Sequence, residues 1–408
     1  MDNVKPFHFY LLMLFFIVLA DSAMSYYVPL VIEKVVVSTT VLGLILASSS
    51  IAGSFMDLWF AKSYPDKNSF FFNKILISLT FLFPMSFIAY KAVPSFFFAM
   101  IVWGIYFEAM VFSNYHAVHE YVDKSKHIWA WSMVTLGRNL GFVIGPLAAL
   151  SLAKYDPNFP FFFALIFYSL ALLLFLVRLQ IRKKTPDLAV EKSGLAEIQN
   201  RPIWKELRIW LIYEKVIWPL LALHFLYFVI ESTFFSIGPL LGEELTIKHP
   251  LGWLFFTAYT LPTLLSVFLL KPLSLPFGKK KAAMLAGLLA GFMLLGLGLS
   301  YSVPLVLIFT FCSSIGLSIL HPELLAVFED FVARAGKTKN DLIGLTAIMG
   351  SISYVVGPIA AGILADRLGA QKVFSILGIW LLLATTICFA LVRRKVELPQ
   401  KRLANETS

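Results

Sequence analysis

The sequence predicts an all-α membrane protein in which twelve transmembrane helices form two six-helix bundles related by a parallel internal repeat. Its composition, the spacing of its apolar segments and a set of repeated short motifs predict this fold class. Of the 408 residues, 59% are hydrophobic and only 14% are charged, whereas a soluble domain carries roughly 25% charged residues. The mean hydropathy of +0.80 is typical of a chain that crosses the bilayer many times.

Twelve apolar segments are long enough to cross a bilayer, which takes about 20 residues per helix. They are predicted at residues 7–31, 38–60, 71–91, 93–115, 129–153, 158–180, 216–240, 250–271, 281–300, 303–324, 341–364 and 373–392. The first segment lacks a small-residue cleavage site, so we interpret it as a helix and not as a signal peptide. Cys312 and Cys388 both lie in apolar segments, which excludes a disulfide framework and a thiolate metal site.

The distribution of basic residues predicts the topology. With the N-terminus in the cytoplasm, 28 lysines and arginines fall on the cytoplasmic side and 6 fall outside. This is the positive-inside bias of membrane proteins, so the net charge of +10 reports topology and not nucleic-acid binding. We expect a monomeric, multi-pass protein of the cell membrane that contacts the lipid bilayer and no nucleic acid, with both termini cytoplasmic.

The longest polar interval, residues 182–210, divides the twelve helices six and six. We predict an N-terminal six-helix bundle over 1–181, a cytoplasmic central loop over 182–215, and a C-terminal six-helix bundle with a cytoplasmic tail over 216–408. Within the loop, Leu207, Trp210 and Leu211 share one helical face. This pattern predicts an amphipathic helix, which either lies on the cytoplasmic leaflet or packs against the protein as a linker.

A duplicated motif relates the first helix to the seventh. VLADSAMSYYVPL at 18–30 aligns with FVIESTFFSIGPL at 228–240, so Asp21 meets Glu231 at an offset of 210 residues. In both copies a serine follows the acid, and a proline follows eight residues after the acid.

Two further matches occur at nearly the same offset. AVHE at 117–120 aligns with AVFE at 326–329, and Gly145-Pro146 aligns with Gly357-Pro358. Three matches in order indicate a duplicated six-helix unit. Because six is even, both copies insert with the same orientation, and a parallel repeat of this kind is typical of transporters.

Two six-helix halves, a long basic central loop and these motifs resemble the major facilitator superfamily over essentially the whole chain. The stretch from Gly141 to Gly145-Pro146 resembles the superfamily's helix 5 motif, although Ala149-Leu150 replaces its final glycine pair. The helix 2–3 loop motif survives in pieces, as Gly53 and Asp57 in the first half and FGKKK at 277–281 in the second. The resemblance implies a secondary transporter whose helices 1, 4, 7 and 10 line a central cavity. It also associates the helix 5 motif with exporters.

Asp21 and Glu231 are the first candidates for proton coupling or substrate binding. A charged side chain at the membrane centre costs about 2.5–3.5 kcal/mol on insertion scales, and ionisable residues at that depth are functional by default. The resemblance puts both acids in the cavity, where burial favours the protonated carboxyl and an arriving cation or water favours its release. The alternative is a neutral acid that hydrogen-bonds a neighbouring helix. His224, two turns before Glu231, either relays protons or packs as an ordinary histidine.

Glu108 on helix 4 and Arg138 on helix 5 lie at similar depth, so we predict that they form a buried charge pair. The pair is either purely structural or part of a network that rearranges during transport. The predicted gate and hinge residues are Asp57, Gly145, Pro146, Gly357 and Pro358. The two glycine-proline pairs remove a backbone donor and side-chain bulk, which favours close packing, a pivot, or both.

The sequence contains no Walker A, H-E-x-x-H or G-x-S-x-G motif, so we expect no enzyme activity and no cofactor. The first hypothesis is proton-coupled export of small amphipathic or cationic molecules, with protons and the substrate as partners. The alternative is proton-driven uptake of a sugar, organic acid or peptide, in which Arg138 contacts the substrate. A membrane metalloenzyme using His224, Glu231, His321 and Glu323 is a third hypothesis, which lacks any tight ligand spacing.

Overall fold

The computed structural model describes residues 5–64, 67–123, 126–182, 203–264 and 278–391. Within these ranges every regular element is helical, and eleven helices are long and apolar enough to cross a membrane. This confirms the predicted all-α membrane fold class. The span predicted at 250–271 begins with a turn and a short 3-10 helix over 250–254 and is α-helical over 255–264, and its residues from 265 onward lie outside the described ranges. The chain divides into two compact units, Met1–Ala196 and Glu197–Ser408.

The first unit supplies six of the eleven candidate spans. Its helices are α1 (Lys5–Val36), α2 (Thr39–Ser63), α3 (Ser69–Thr80), α4 (Leu82–Ala89), α5 (Val93–Tyr121), α6 (His127–Ala153) and α7 (Phe159–Arg182). The third predicted span is formed by α3 and α4 together, which meet at Phe81. Polar caps fix two helix starts, because the side chains of Ser38 and Asn68 accept hydrogen bonds from the first turns of α2 and α3.

The second unit holds the equivalent helices. They are α8 (Ile203–Ser236), α9 (Gly238–Lys248), α10 (255–264), α11 (Lys279–Leu299), α12 (Val303–Val332), α13 (Lys339–Leu368) and α14 (Ala370–Leu391). In the first unit α1 continues through Pro29, whereas α8 ends at Ser236 and a new helix begins before Pro239.

The structure differs from the predicted central loop in one respect. The amphipathic segment is not a separate helix, because α8 runs unbroken from Ile203 to Ser236. Ile209 is buried, and the hydroxyls of Tyr213 and Thr338 are hydrogen-bonded at 2.6 Å. The segment therefore packs on the start of α13, while residues 183–202 of the predicted loop lie outside the described ranges.

The same serine–glycine contact occurs in both units. In the first, α1 packs against α6 and α7, and in the second, α8 packs against α13 and α14. Gly145 of α6 lies so close to Ser22 of α1 that a Cβ there would overlap the serine hydroxyl, and Gly357 of α13 stands in the same relation to Ser232 of α8. Small residues allow transmembrane helices to approach closely. The contact repeats in space the duplication that the sequence indicates.

Close packing also joins α5 to α2 in the first unit. A Cβ on Gly104 would overlap the backbone carbonyl of Ser49, so the two helix backbones touch at this point. One turn along α5, the carboxyl of Glu108 lies beside Gly53 of α2. The α2–α5 contact therefore fixes the direction in which Glu108 points.

Candidate functional site

Asp21 lies inside the first unit and is only 4% exposed. Its Oδ1 atom accepts hydrogen bonds from the hydroxyls of Tyr106 on α5 and Tyr168 on α7, both at 2.6 Å. The two hydroxyl oxygens are 3.3 Å apart. In the described part of the chain, Oδ2 of Asp21 is buried and has no hydrogen-bond partner. Three helices therefore converge on one carboxyl group.

The neighbouring side chains hold this arrangement in position. Ser22 donates a hydrogen bond of 2.7 Å to the carbonyl of Gly141 on α6, which fixes the rotation of α1. Tyr106 and Tyr168 are fully buried. A carboxyl that hydrogen-bonds neighbouring helices is the structural interpretation that the sequence left open for Asp21. The sequence analysis missed both tyrosines, since they lie on other helices and belong to no motif.

Glu231 is half-buried on α8 in the second unit. Its Oε2 accepts a hydrogen bond of 2.8 Å from Tyr354 on α13, and the hydroxyl of Tyr227 lies 3.5 Å from Oε1. Each repeated acid thus contacts two tyrosine hydroxyls. The tyrosines come from helices that are not equivalent, however, because α5 and α7 correspond to α12 and α14. The sequence repeat therefore does not predict which residues bind each acid.

Two imidazole rings, those of His224 and His321, pack together in the second unit. His224 on α8 is 2% exposed, and its ring centroid is 5.7 Å from that of His321 on α12. The ring of Tyr227 stacks on His321, with centroids 4.3 Å apart and planes 5° apart. Phe228 meets the same imidazole edge-on at 5.0 Å. Tyr227 therefore links His321 to Glu231, and His224 packs on His321; the part of His224 in proton coupling stays a prediction.

The structure does not bring Glu108 and Arg138 together. Arg138 on α6 is exposed, and among the described residues no ion pair joins it to Glu108. The reason is the helix packing, since α5 packs on α2 at this level whereas α6 packs on α1. Glu108 instead lies within electrostatic range of another acid, Asp57 on α2. The predicted acid–base pair is replaced in this structure by two acids on facing helices.

The predicted hinge residues lie at close helix contacts. Gly145 and Gly357 are the glycines that face Ser22 and Ser232. Pro146 and Pro358 lie inside α6 and α13, and both helices continue past them. Asp57, the predicted gate residue, is exposed on α2. Their part in a pivot or gate stays a prediction.

Metal-ligating side chains do not cluster in the described ranges. No group of three or more histidine, cysteine, aspartate or glutamate side chains there could hold a metal ion. The four residues of the metalloenzyme hypothesis therefore do not form a metal site.

Comparison with known proteins supports the fold. The sequence profile of the Major Facilitator Superfamily matches residues 220–407, most of the second unit. A search of curated proteins finds no match to the chain.

Several solved transporters share the fold over almost their whole length. A crystal structure of a mutant of the nucleoside transporter NupG has a TM-score of 0.75 at 12% identity, covering 95% of this chain and 100% of that one. A bacterial homologue of the human lysosomal transporter Spinster gives 0.73 at 12% identity, with coverages of 95% and 96%. A POT family transporter in complex with 5-aminolevulinic acid gives 0.69 at 16% identity, with coverages of 95% and 96%.

Proposed function

We propose that this chain is a proton-coupled secondary transporter of the Major Facilitator Superfamily, because the superfamily's sequence profile matches residues 220–407 and solved transporters share the fold. Its substrates are small amphipathic or cationic molecules, which it exports by alternating access. The protein is a multi-pass membrane transporter and not an enzyme. Both termini are proposed to lie in the cytoplasm, where the basic residues concentrate.

The observation that carries this proposal is the setting of Glu231. Its carboxyl is half-buried at membrane depth, contacts the hydroxyls of Tyr227 and Tyr354, and has the ring of Phe228 nearby. A tyrosine hydroxyl can donate to a carboxylate and can also accept from a protonated carboxyl. The same carboxyl therefore serves a proton or an organic cation.

The aromatic rings around Glu231 favour a cationic substrate. The faces of tyrosine and phenylalanine rings attract cations, most strongly where water is excluded. An amphipathic cation can place its charge at Glu231 and its apolar part on Tyr227 and Phe228. Competition between this cation and a proton for one carboxylate is the physical requirement for antiport. His224, two turns away on α8, is proposed to relay protons to and from the carboxyl.

Asp21 is proposed as a second coupling group with a different role. It is more deeply buried than Glu231, and its Oδ2 leaves one position at which a proton can bind. Releasing that proton requires water to enter between α1, α5 and α7. We therefore expect Asp21 to exchange protons only when these helices separate, which couples its protonation to the conformation of the first unit.

A specific observation favours the alternative function, proton-driven uptake of a sugar, organic acid or peptide. Arg138 is exposed and does not pair with Glu108 among the described residues. Its guanidinium is therefore open to a substrate carboxylate, which arginine binds with two parallel hydrogen bonds. The POT family transporter bound to 5-aminolevulinic acid shares the fold and supports this alternative.

Transport by the purified protein in proteoliposomes tests the proposal. The probes are radiolabelled tetraphenylphosphonium, a lipophilic cation, and a labelled dipeptide, each under an imposed pH gradient with the membrane potential clamped at zero. We expect tetraphenylphosphonium to cross the membrane in the direction opposite to the protons, and we expect no transport of the dipeptide. Dipeptide movement with the protons would favour the uptake function, and movement of neither probe would contradict the proposed substrate class.

A further inference from the structure

Two buried imidazole nitrogens in the second unit lack hydrogen-bond partners in the part of the chain that the structure describes. They are Nδ1 of His224 and Nε2 of His321. A buried polar atom without a partner costs free energy, and native proteins rarely keep one without a reason. Here two such atoms occur on rings whose centroids are 5.7 Å apart. Both nitrogens are in position to bind a proton or a water molecule.

Tyr227 connects this histidine pair to Glu231. One face of its ring stacks on His321 at a centroid distance of 4.3 Å, and its hydroxyl lies 3.5 Å from the Glu231 carboxyl. An imidazolium ring over a tyrosine face gains a cation–π interaction. The ring of Tyr227 thus stands between the imidazole of His321 and the carboxyl of Glu231. The geometry therefore gives a proton on the Glu231 carboxyl a second binding group, the His321 imidazole, on the other side of Tyr227.

Among the described residues, the titratable groups shown around His321 and Glu231 are a histidine, tyrosines and acids. His224, Tyr227 and Glu231 face it from α8, and Tyr354 of α13 and Tyr259 of α10 lie around Glu231. Glu323, two positions along α12, is buried and points to a different face of that helix. The backbone of Thr346 on α13 lies near the imidazole ring of His224.

We propose that His321, backed by His224, is a second proton-binding group of the Glu231 site and shares one proton with its carboxyl. When a substrate cation reaches Glu231, the O–H bond of the carboxyl breaks and an N–H bond forms at Nε2 of His321. A water molecule relays the transfer by accepting one proton and giving up another. Glu231 becomes a carboxylate and His321 an imidazolium, which then loses the proton from Nε2 to the surrounding water, so one proton leaves for each cation that binds. The two sites then titrate as a coupled pair.

This inference rests on the proposed proton exchange at Glu231, but its test needs no transport substrate. The full chain is labelled with ¹⁵N-histidine, purified into lipid nanodiscs and titrated by NMR between about pH 4 and pH 9, a range that brackets the ordinary histidine titration. Single substitutions assign the 7 histidine signals. We expect the signals of His224 and His321 to titrate together, and each to change when the other histidine is replaced by asparagine.

Glu231→Gln is the decisive variant. It keeps a side chain that bonds Tyr354 but removes the charge, so the His321 midpoint should move to lower pH by about one unit, a tenfold loss of proton affinity. Tyr227→Phe keeps the stack and should preserve most of this coupling. His249→Asn, at the end of α9, is the matched control and should leave both midpoints unchanged.

Two results would overturn the inference. One is a His321 signal that stays at the neutral position throughout the titration. The other is a midpoint that Glu231→Gln does not move although the variant is folded. If transport of tetraphenylphosphonium is lost in Glu231→Gln while the midpoints stay fixed, the proposed function survives and the shared proton does not. If the midpoints move but no probe is transported, the shared proton survives and the substrate class does not.

Discussion

The hydroxyl of Tyr168 on α7 donates a 2.6 Å hydrogen bond to Oδ1 of Asp21 on α1, and Tyr106 of α5 donates a second bond of the same length. One carboxyl oxygen thus joins three helices of the first unit. Removing the hydrogen-bond partner of a buried polar group lowers the free energy of unfolding by about 1–3 kcal/mol. The two tyrosine hydrogen bonds therefore contribute to stability as well as to any proton exchange.

Tyr168→Phe and Tyr106→Phe should each lower the free energy of unfolding by about 1–3 kcal/mol, because each leaves the buried carboxyl with one donor fewer. The measurement is the thermal unfolding midpoint of the purified protein. Tyr155→Phe is the control, since this side chain is 83% exposed and should tolerate the change. An unchanged midpoint in both test variants would mean that these bonds do not stabilise the first unit.

Asp21→Asn should separate stability from coupling. The amide oxygen can still accept both tyrosine bonds, so the unfolding midpoint should change by less than the equivalent of about 1 kcal/mol. The amide cannot take up a proton, so the pH dependence of tetraphenylphosphonium transport should flatten. A folded variant with wild-type pH dependence would restrict Asp21 to a structural role.

The two serine–glycine contacts should respond differently to a pair of compensating changes. Gly145→Ala and Gly357→Ala should each destabilise the protein by about 1–3 kcal/mol through overpacking. At Gly357 the close atom is the hydroxyl of Ser232, so adding Ser232→Ala should restore most of the loss. At Gly145 the added Cβ would also lie 2.7 Å from the backbone nitrogen of Ala23. Adding Ser22→Ala to Gly145→Ala should therefore not restore the lost stability.

Thermal unfolding of the single and double variants checks this difference. Gly137→Ala on α6 is the control, because no atom lies within 4 Å of the added Cβ and alanine favours the helix. Equal rescue at both sites would contradict the packing described here.

Arg138→Gln should leave the unfolding midpoint within about 0.5 kcal/mol of the wild-type value, since an exposed substitution away from packed features has little effect. A buried pair with Glu108 would instead cost about 3–5 kcal/mol when one partner is removed. The exchanged variant Glu108→Arg with Arg138→Glu should not recover any loss seen in Glu108→Arg alone. Recovery would mean that the two side chains pair in another conformation.

The spans and the duplication could be predicted from the sequence, because both depend on local composition and on motifs that repeat in order. Eleven of the predicted spans correspond to helices that could cross a membrane, and the described part of the twelfth is α-helical over 255–264. The repeat also led to Asp21 and Glu231, and the structure gives both acids tyrosine hydroxyl partners.

The partners of these acids could not be predicted, because depth in the membrane does not determine which face of a helix meets which neighbour. Tyr106 and Tyr168 are distant from Asp21 in sequence and belong to no motif. Tyr354 lies in the repeated stretch before Gly357-Pro358, but nothing in that stretch links it to Glu231. The same limitation explains why the predicted pair of Glu108 and Arg138 is not found. Their similar depth suggested a pair, but the α2–α5 contact directs Glu108 toward α2, which carries Asp57. Likewise, the predicted amphipathic linker helix is the first part of α8, which continues without a break into the membrane span.

Proton release on substrate binding tests most directly whether one carboxyl serves both a proton and an organic cation. Purified protein in weakly buffered solution is mixed with tetraphenylphosphonium, and a pH-sensitive dye records the protons released while binding is followed separately. We predict that wild-type protein releases about one proton per bound cation near the pH at which the Glu231 group is half-protonated. Glu231→Gln should release none. Binding without proton release in the wild type, or full release in Glu231→Gln, would contradict proton–cation exchange at Glu231.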